Sequence, residues 1–140
     1  MLKHILVIDD DLDDVAFFVD AIADLSPDTL VTHAGDGEKS ISFLFRCSKE
    51  QLPEVIFMDI SMPAVNGWEC LREIKKLMTC HHIPIVMFST LNFQTQGLSP
   101  SDVGAAAFLT KSDTMTGLKT NLARLFKTLF PAESLPGWQE

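Results

Sequence analysis

The sequence has few basic residues and few cysteines, and each shortage excludes a class of protein. It contains 11 Lys and Arg residues against 19 Asp and Glu residues, so its formal net charge is −8. Nucleic acids and anionic lipids are bound by clustered positive charge, so we expect neither direct nucleic-acid binding nor docking on a membrane. The 3 cysteines are odd in number and scattered, which is unlike a disulfide framework.

The sequence also lacks an apolar run long enough to cross a bilayer, and no secretory signal precedes its first apolar run. Together with the scattered cysteines, this predicts a cytoplasmic protein with reduced thiols. The 140 residues match one ordinary domain, and a hydrophobic fraction of 46% is sufficient for a core at this length. We therefore expect one domain over residues 1–130 and a short tail over residues 131–140.

Short apolar runs alternate along the chain with segments of helical periodicity. The runs typical of buried parallel strands are 5–8, 30–34, 55–58, 85–88 and 105–110. Residues 91–103 contain Gly97 and Pro100, so a fourth helix there is predicted to be short or broken. Strands that alternate with helices imply right-handed crossovers and a sheet covered on both faces. The predicted fold is α/β, a doubly wound, flavodoxin-like, five-stranded parallel sheet in three α/β/α layers.

Polar side chains follow the carboxyl ends of four of these strands. Asp9 and Asp10 follow the first strand, Asp59 follows the third, Ser89 the fourth and Lys111 the fifth. In an open parallel sheet, ligands bind in the crevice beyond these ends. We therefore expect the functional site at this edge of the sheet.

The residue types at this edge favour phosphoryl transfer assisted by a metal ion. Crowded carboxylates repel one another, and a hard cation such as Mg²⁺ relieves the repulsion through oxygen ligands. A carboxylate can itself be the nucleophile that accepts a phosphoryl group, which gives an acyl phosphate. The transferring charge then needs a metal, a cationic side chain and hydrogen-bond donors around it. The five strand-end residues named above would supply that set.

With these strand-end residues, the sequence resembles the receiver domain of two-component response regulators, in particular the single-domain, chemotaxis-regulator-like members. The resemblance spans roughly residues 3–130, and the motifs occur in the family's order. The matching stretches are ILVIDD (5–10), MDISMP (58–63), NG (66–67), PIVMFS (84–89), GA (104–105) and FLTK (108–111).

The resemblance implies a phosphoacceptor and a metal site. Asp59 would accept the phosphoryl group. Mg²⁺, or Mn²⁺, would bind Asp9 and Asp10 together with Asp59 and the backbone carbonyl of Ser61.

The resemblance also implies the residues that respond to the phosphoryl group. Lys111 would contact it, and the hydroxyl of Ser89 would swing in to bond it, with Thr90 as the alternative hydroxyl. Phe108 stands where the family often has an aromatic residue that changes rotamer with activation.

The implied function is a phosphorylation-dependent switch of a phosphorelay. The chain would not be an enzyme, apart from promoting its own phosphotransfer and dephosphorylation. The donor would be a phosphohistidine on a sensor histidine kinase or a histidine phosphotransfer protein. Because no output domain follows residue 130, an unknown downstream protein would receive the signal or the phosphate. The chain would be a monomer or a weak phosphorylation-linked dimer.

Two other functions stay open at this stage. An apolar strand followed by Asp9-x-Asp11 superficially fits a Mg²⁺-dependent phosphatase of the haloacid-dehalogenase type. However, Leu12-Asp13 departs from that motif, and Asp59 would have no role. The third possibility is a receiver-like fold that binds partners without phosphorylation, although such a form would be expected to lose an acid or the lysine.

Overall fold

A computed structural model of the chain describes residues 2–62, 66–90, 97 and 99–138. The strands in this part of the chain are β1 (His4–Ile8), β2 (Leu30–Ala34), β3 (Val55–Met58), β4 (Ile85–Ser89) and β5 (Ala107–Thr110). The helices are α1 (Leu12–Leu25), α2 (Gly37–Arg46), α3 (Gly67–Lys76), α4 (Pro100–Val103) and α5 (Met115–Leu129). The predicted alternation of strands and helices is confirmed.

The strands form one parallel sheet in the order β2-β1-β3-β4-β5. After β2 the chain crosses back over β1, and the later strands are added on the other side. The carboxyl ends of β1 and β3 therefore flank the point where the direction of winding reverses, which is where doubly wound sheets bind ligands. The predicted fold class is confirmed.

The inner strands supply side chains to two cores, one on each face of the sheet. Val7 and Phe57 pack on the face covered by α1 and α5, whereas Ile8 and Met58 pack on the face covered by α2 and α3. This alternation follows from the two-residue period of a strand. The layers are α/β/α, as predicted. No helix in the described part of the chain is long and apolar enough to cross a membrane.

The region around α4 differs from the prediction in its boundaries. Strand β5 begins at Ala107, not at residue 105, because the N–H of Ala105 donates to the carbonyl of Pro100 and closes the end of α4. The described part of α4 covers 4 residues. Residues 91–96 and 98, on which the expectation of a short or broken helix also rests, lie outside the described residues.

The segment after α5 folds back onto the domain. The N–H of Gly137 donates to the carbonyl of Leu25, the last residue of α1, over 2.9 Å. Leu135 and Trp138 pack, partly buried, against the core on the α1 and α5 face. Residues 131–138 are thus in contact with the domain, and the division at residue 130 stays a prediction.

Gly67, the first residue of α3, lets this helix begin directly against the end of β3. A Cβ atom at Gly67 would collide with the carbonyl oxygen of Asp59 and lie 2.7 Å from the Cα of Ile60. Both are backbone atoms, so no side-chain rotation can make room. The close approach therefore requires glycine.

We predict that Gly67→Ala lowers the free energy of unfolding by about 1–3 kcal/mol, because the added methyl group pushes α3 away from the end of β3. Gly35→Ala is the matched control, since no atom lies within 4 Å of a Cβ built there. The control should change the free energy by no more than about 0.5 kcal/mol. Chemical denaturation measures both variants, and equal losses would contradict the steric explanation.

Candidate functional site

The predicted carboxylates lie together at the carboxyl edge of the sheet. The N–H of Asp9 donates to the carbonyl of Ala34, and the N–H of Asp59 donates to the carbonyl of Ile8. Strand pairing thus continues one residue past β1 and β3 and fixes the backbone of both acids. Asp9 is 1% exposed and Asp59 is 6% exposed, whereas Asp10 is exposed.

Asp9, Asp10 and Asp59 each present a carboxylate oxygen, and these oxygens lie within 4.8 Å of one another. Three oxygens at this spacing fit a hard divalent cation, which takes oxygen ligands and completes its shell with water. The chemistry of the donor set therefore suits Mg²⁺ or Mn²⁺ better than metals that favour sulfur and imidazole ligands.

Lys111 reaches the same edge from the end of β5. Its N–H donates to the carbonyl of Ser89, and its side chain is 10% exposed, with the Nζ atom 5.5 Å from the centre of the Phe88 ring. The Nζ atom lies 2.8 Å from Oδ2 of Asp9 and 3.8 Å from Oδ1 of Asp59. One cation therefore bridges the acids at the ends of β1 and β3.

A further carboxylate, Asp14, was not identified from the sequence. Its Oδ2 atom lies 2.7 Å from the Nζ atom of Lys111. Asp11 is the N-cap of α1, and its side chain accepts hydrogen bonds from the N–H groups of Asp13 and Asp14. Because the cap fixes the first turn of α1, the position of Asp14 three residues after the cap could have indicated that its side chain lies near the site.

His33, on β2, also contacts the site. Its Nε2 atom lies 2.8 Å from the backbone carbonyl oxygen of Asp9, which accepts the hydrogen bond. His33 lies on β2 opposite Val7 of β1. The contact depends on strand register, which the residue type alone does not reveal.

Burial raises the pKa of Asp59 from 3.8 to about 6. This value already includes the effects of the neighbouring groups. Lys111 and the hydrogen bond from the N–H of Ser61, 3.3 Å long, lower the pKa, whereas the charges of Asp9 and Asp10 raise it. Ionised Asp59 is thus disfavoured at a site already rich in negative charge. A bound cation would relieve that cost, which is a second indication that a metal fits here.

Lys111 keeps its positive charge in this setting. Burial lowers the pKa of Lys111, but the hydrogen bonds to Asp14 and Asp9 and the charge of Asp59 outweigh burial and raise it. The side chain is therefore a permanent cation at the site.

The other predicted site residues lie close to the same edge. Ser89 is buried and pairs in register with Thr110 of β5, whereas Thr90 is exposed. Phe108 is half-buried, and its ring packs edge-on against Trp68, with centroids 6.0 Å apart. The sequence suggested no role for Trp68. The roles of Ser89, Thr90 and Phe108 stay predictions.

The comparisons with known proteins agree on one family. The family of the response regulator receiver domain matches residues 5–123. The chain belongs to this family.

Curated relatives match this chain over different shares of their own length. The chain is 33% identical over 117 residues to a protein-glutamate methylesterase/protein-glutamine glutaminase of Idiomarina loihiensis, covering 79% of this chain and 28% of that protein. It is 34% identical over 74 residues to protein PilH of Pseudomonas aeruginosa, covering 52% of this chain and 61% of that protein. The chain thus spans less than a third of the methylesterase's length.

Solved structures of response regulators have the same fold over nearly the whole chain. The bacteriophytochrome response regulator RtBRR is 28% identical, with a TM-score of 0.73 over 98% of this chain and 86% of that one. The phosphorylated cyanobacterial phytochrome response regulator RcpA has a TM-score of 0.79 at 24% identity over 97% and 99% of the two chains. The Mn²⁺-bound form of Rcp1 has a TM-score of 0.75 at 23% identity over 96% and 99%. The RcpA and Rcp1 likenesses show the fold.

Family membership identifies the function at the level of the class. Receiver domains are phosphorylation-dependent signalling switches of the two-component type, and this chain carries such a switch domain. Neither the phosphatase nor the phosphorylation-independent module is favoured by these relatives. In the phosphatase motif Asp11 would be a site residue, whereas here its side chain caps α1.

The raised pKa of Asp59 predicts how stability depends on pH without divalent metal. The folded state binds the Asp59 proton more tightly than the unfolded chain. The contribution of Asp59 to the free energy of unfolding therefore falls as pH rises from about 4 to about 6. We predict that Asp59→Asn, which carries no such charge, is more stable than the parent chain near neutral pH by about 2–3 kcal/mol.

Denaturant titrations in the presence of a chelator, repeated across this pH range, measure the difference. The difference in free energy of unfolding between Asp59→Asn and the parent chain should fall toward zero at the acidic end of the range. Asp13→Asn, which removes an exposed carboxylate of α1, serves as the control and should show no comparable advantage. An advantage of Asp59→Asn that is absent at neutral pH, or that does not change with pH, would contradict the assignment.

Proposed function

We propose that Asp59 is the residue that accepts the phosphoryl group, from a phosphohistidine on a sensor histidine kinase or a phosphotransfer protein. The observation that carries the proposal is the bridge made by Lys111 between Asp9 and Asp59, beside a cluster of three carboxylates. The pKa of Asp59 is markedly raised, and the Nζ atom of Lys111 lies 3.8 Å from its Oδ1 atom. Receiver domains take their phosphoryl group from such donors.

In the proposed step, a carboxylate oxygen of Asp59 attacks the phosphorus atom of the donor. The phosphorus–nitrogen bond breaks, its electron pair stays on the donor imidazole, and the new phosphorus–oxygen bond makes an acyl phosphate. Lys111 is close enough to follow the charge from the carboxylate to the phosphoryl oxygens. The promotion of phosphotransfer and of dephosphorylation by the chain itself belongs to this proposal.

The proposed metal is Mg²⁺, or Mn²⁺, held by Asp9, Asp10 and Asp59 together with the backbone carbonyl of Ser61. When bound, it would neutralise charge on the carboxylates and on the phosphoryl oxygens. The spacing of the carboxylate oxygens and the raised pKa of Asp59 support this choice. Rcp1, a structural neighbour, is described in a Mn²⁺-bound form.

The proposed response to phosphorylation is a shift between two arrangements of the β4 and β5 edge. The hydroxyl of Ser89, or of Thr90 as the alternative, would bond the phosphoryl group. Because Phe108 packs against Trp68, a change in the Phe108 rotamer would be transmitted to the start of α3. We further propose that the chain acts in the cytoplasm, as a monomer or a weak phosphorylation-linked dimer, on an unknown downstream protein.

We predict that incubation with Mg²⁺ and acetyl phosphate adds one phosphoryl group to the chain. Intact-mass spectrometry should show the adduct in the parent chain and in Asp13→Asn, and no adduct in Asp59→Asn or in the presence of a chelator. Asp13→Asn is the matched control because it removes an exposed carboxylate. An adduct that persists in Asp59→Asn, or no adduct under conditions that label a known receiver, would refute the proposal.

A further inference from the structure

The side chain of Asp14 contacts Lys111 as closely as the proposed metal ligand Asp9 does. The distances from the Nζ atom are 2.7 Å to Asp14 and 2.8 Å to Asp9, whereas Asp59 is 3.8 Å away. The side chain of Asp14 is 38% exposed, and that of Lys111 is 10% exposed. The lysine is thus held more closely by the two acids on the β1 and α1 side than by the phosphoacceptor.

The geometry of the helix start makes this contact specific to Asp14. The Asp11 cap positions the first turn of α1, and side chains in a helix lean toward its N-terminus. Asp14 therefore leans back toward the end of β1, where the Lys111 side chain arrives. Asp13, its neighbour in the same turn, is exposed, and the carboxylates that pair with the ammonium group among the described residues are those of Asp9, Asp14 and Asp59.

Asp14 differs from the other two partners of Lys111 in one respect. Asp9 and Asp59 belong to the group of carboxylates that could hold a metal, and within the described residues Asp14 lies outside that group. Neutralisation of the cluster by a cation would weaken the hold of Asp9 and Asp59 on Lys111 and leave the hold of Asp14 in place. A phosphoryl group on Asp59 must then compete with Asp14 for the ammonium group.

We propose that Asp14 is a positioning residue, which holds the Lys111 ammonium group toward α1 and opposes its movement onto the phosphoryl group. The inference rests on the proposed function of Asp59. Asp14 would set the balance between the two states of the switch, because the free state contains an ion pair that the phosphorylated state must weaken or share. Removal of the Asp14 carboxylate would favour the phosphorylated arrangement.

The test is a titration of the Mg²⁺-loaded full chain with beryllofluoride, a phosphoryl mimic. Fluorine NMR measures how much beryllofluoride is bound. We expect Asp14→Asn to lower the half-saturating concentration by about three- to fivefold, the range of a partly exposed ion pair. Asp13→Asn, which removes the same charge without the contact, should stay within about 1.5-fold of the parent chain. Asp14→Glu, which keeps a carboxylate in reach, should restore most of the parent value.

A spectroscopic measurement separates positioning from a merely structural role. In lysine-labelled protein, the ε-methylene signal of Lys111 should move in free Asp14→Asn toward its position in the beryllofluoride complex, and should not move in Asp13→Asn. If Asp14→Asn does not fold, Asp14→Ser provides the same comparison with a side chain that suits a helix start.

The outcomes distinguish the two proposals. If the parent chain binds beryllofluoride but Asp14→Asn and Asp13→Asn match it, or Asp14→Asn binds more weakly, the role of Asp14 is wrong and the role of Asp59 stands. If the parent chain binds no beryllofluoride in the presence of Mg²⁺, the proposed function is wrong, and the inference about Asp14 is overturned with it.

Discussion

The site depends on the ion pairs of one buried lysine. Lys111 follows the last strand, β5, and its ammonium group lies among three carboxylates. Asp9 follows β1, Asp14 lies in the first turn of α1, and Asp59 follows β3. Removing the lysine would leave these carboxylates without their shared cation, which is strongly destabilising for buried charges. The lysine therefore holds β1, α1 and β3 to the end of β5 through ion pairs. This is the same edge at which the proposed switch changes its arrangement.

The negative charge at this edge exceeds what one lysine can neutralise. Three carboxylates crowd together, and burial with their mutual repulsion raises the pKa of Asp59. A site of this kind is stabilised by any added positive charge and reorganised by any added phosphoryl group. The same electrostatic imbalance that lowers stability thus makes the domain responsive, which is the property that a switch requires.

Much of this arrangement could be predicted from the sequence, because a parallel sheet brings the carboxyl ends of its strands to one edge. Asp9, Asp59 and Lys111 needed only the strand pattern to be placed together. The contact of Asp14 depends on the phase of α1, which its cap determines, and the contact of His33 depends on the register of β2 against β1. The return of Trp138 onto the α1 and α5 face depends on packing between distant segments, which local periodicity does not encode.

The most direct test of the account locates the phosphoryl group on the chain. Protein phosphorylated with Mg²⁺ and acetyl phosphate is treated with borohydride, which reduces an acyl phosphate to the alcohol, and its peptides are sequenced by mass spectrometry. We predict reduction at position 59 alone, with Asp9, Asp10 and Asp14 recovered unchanged. Reduction at one of those three residues, or a phosphate that survives on another side chain while position 59 is intact, would contradict it.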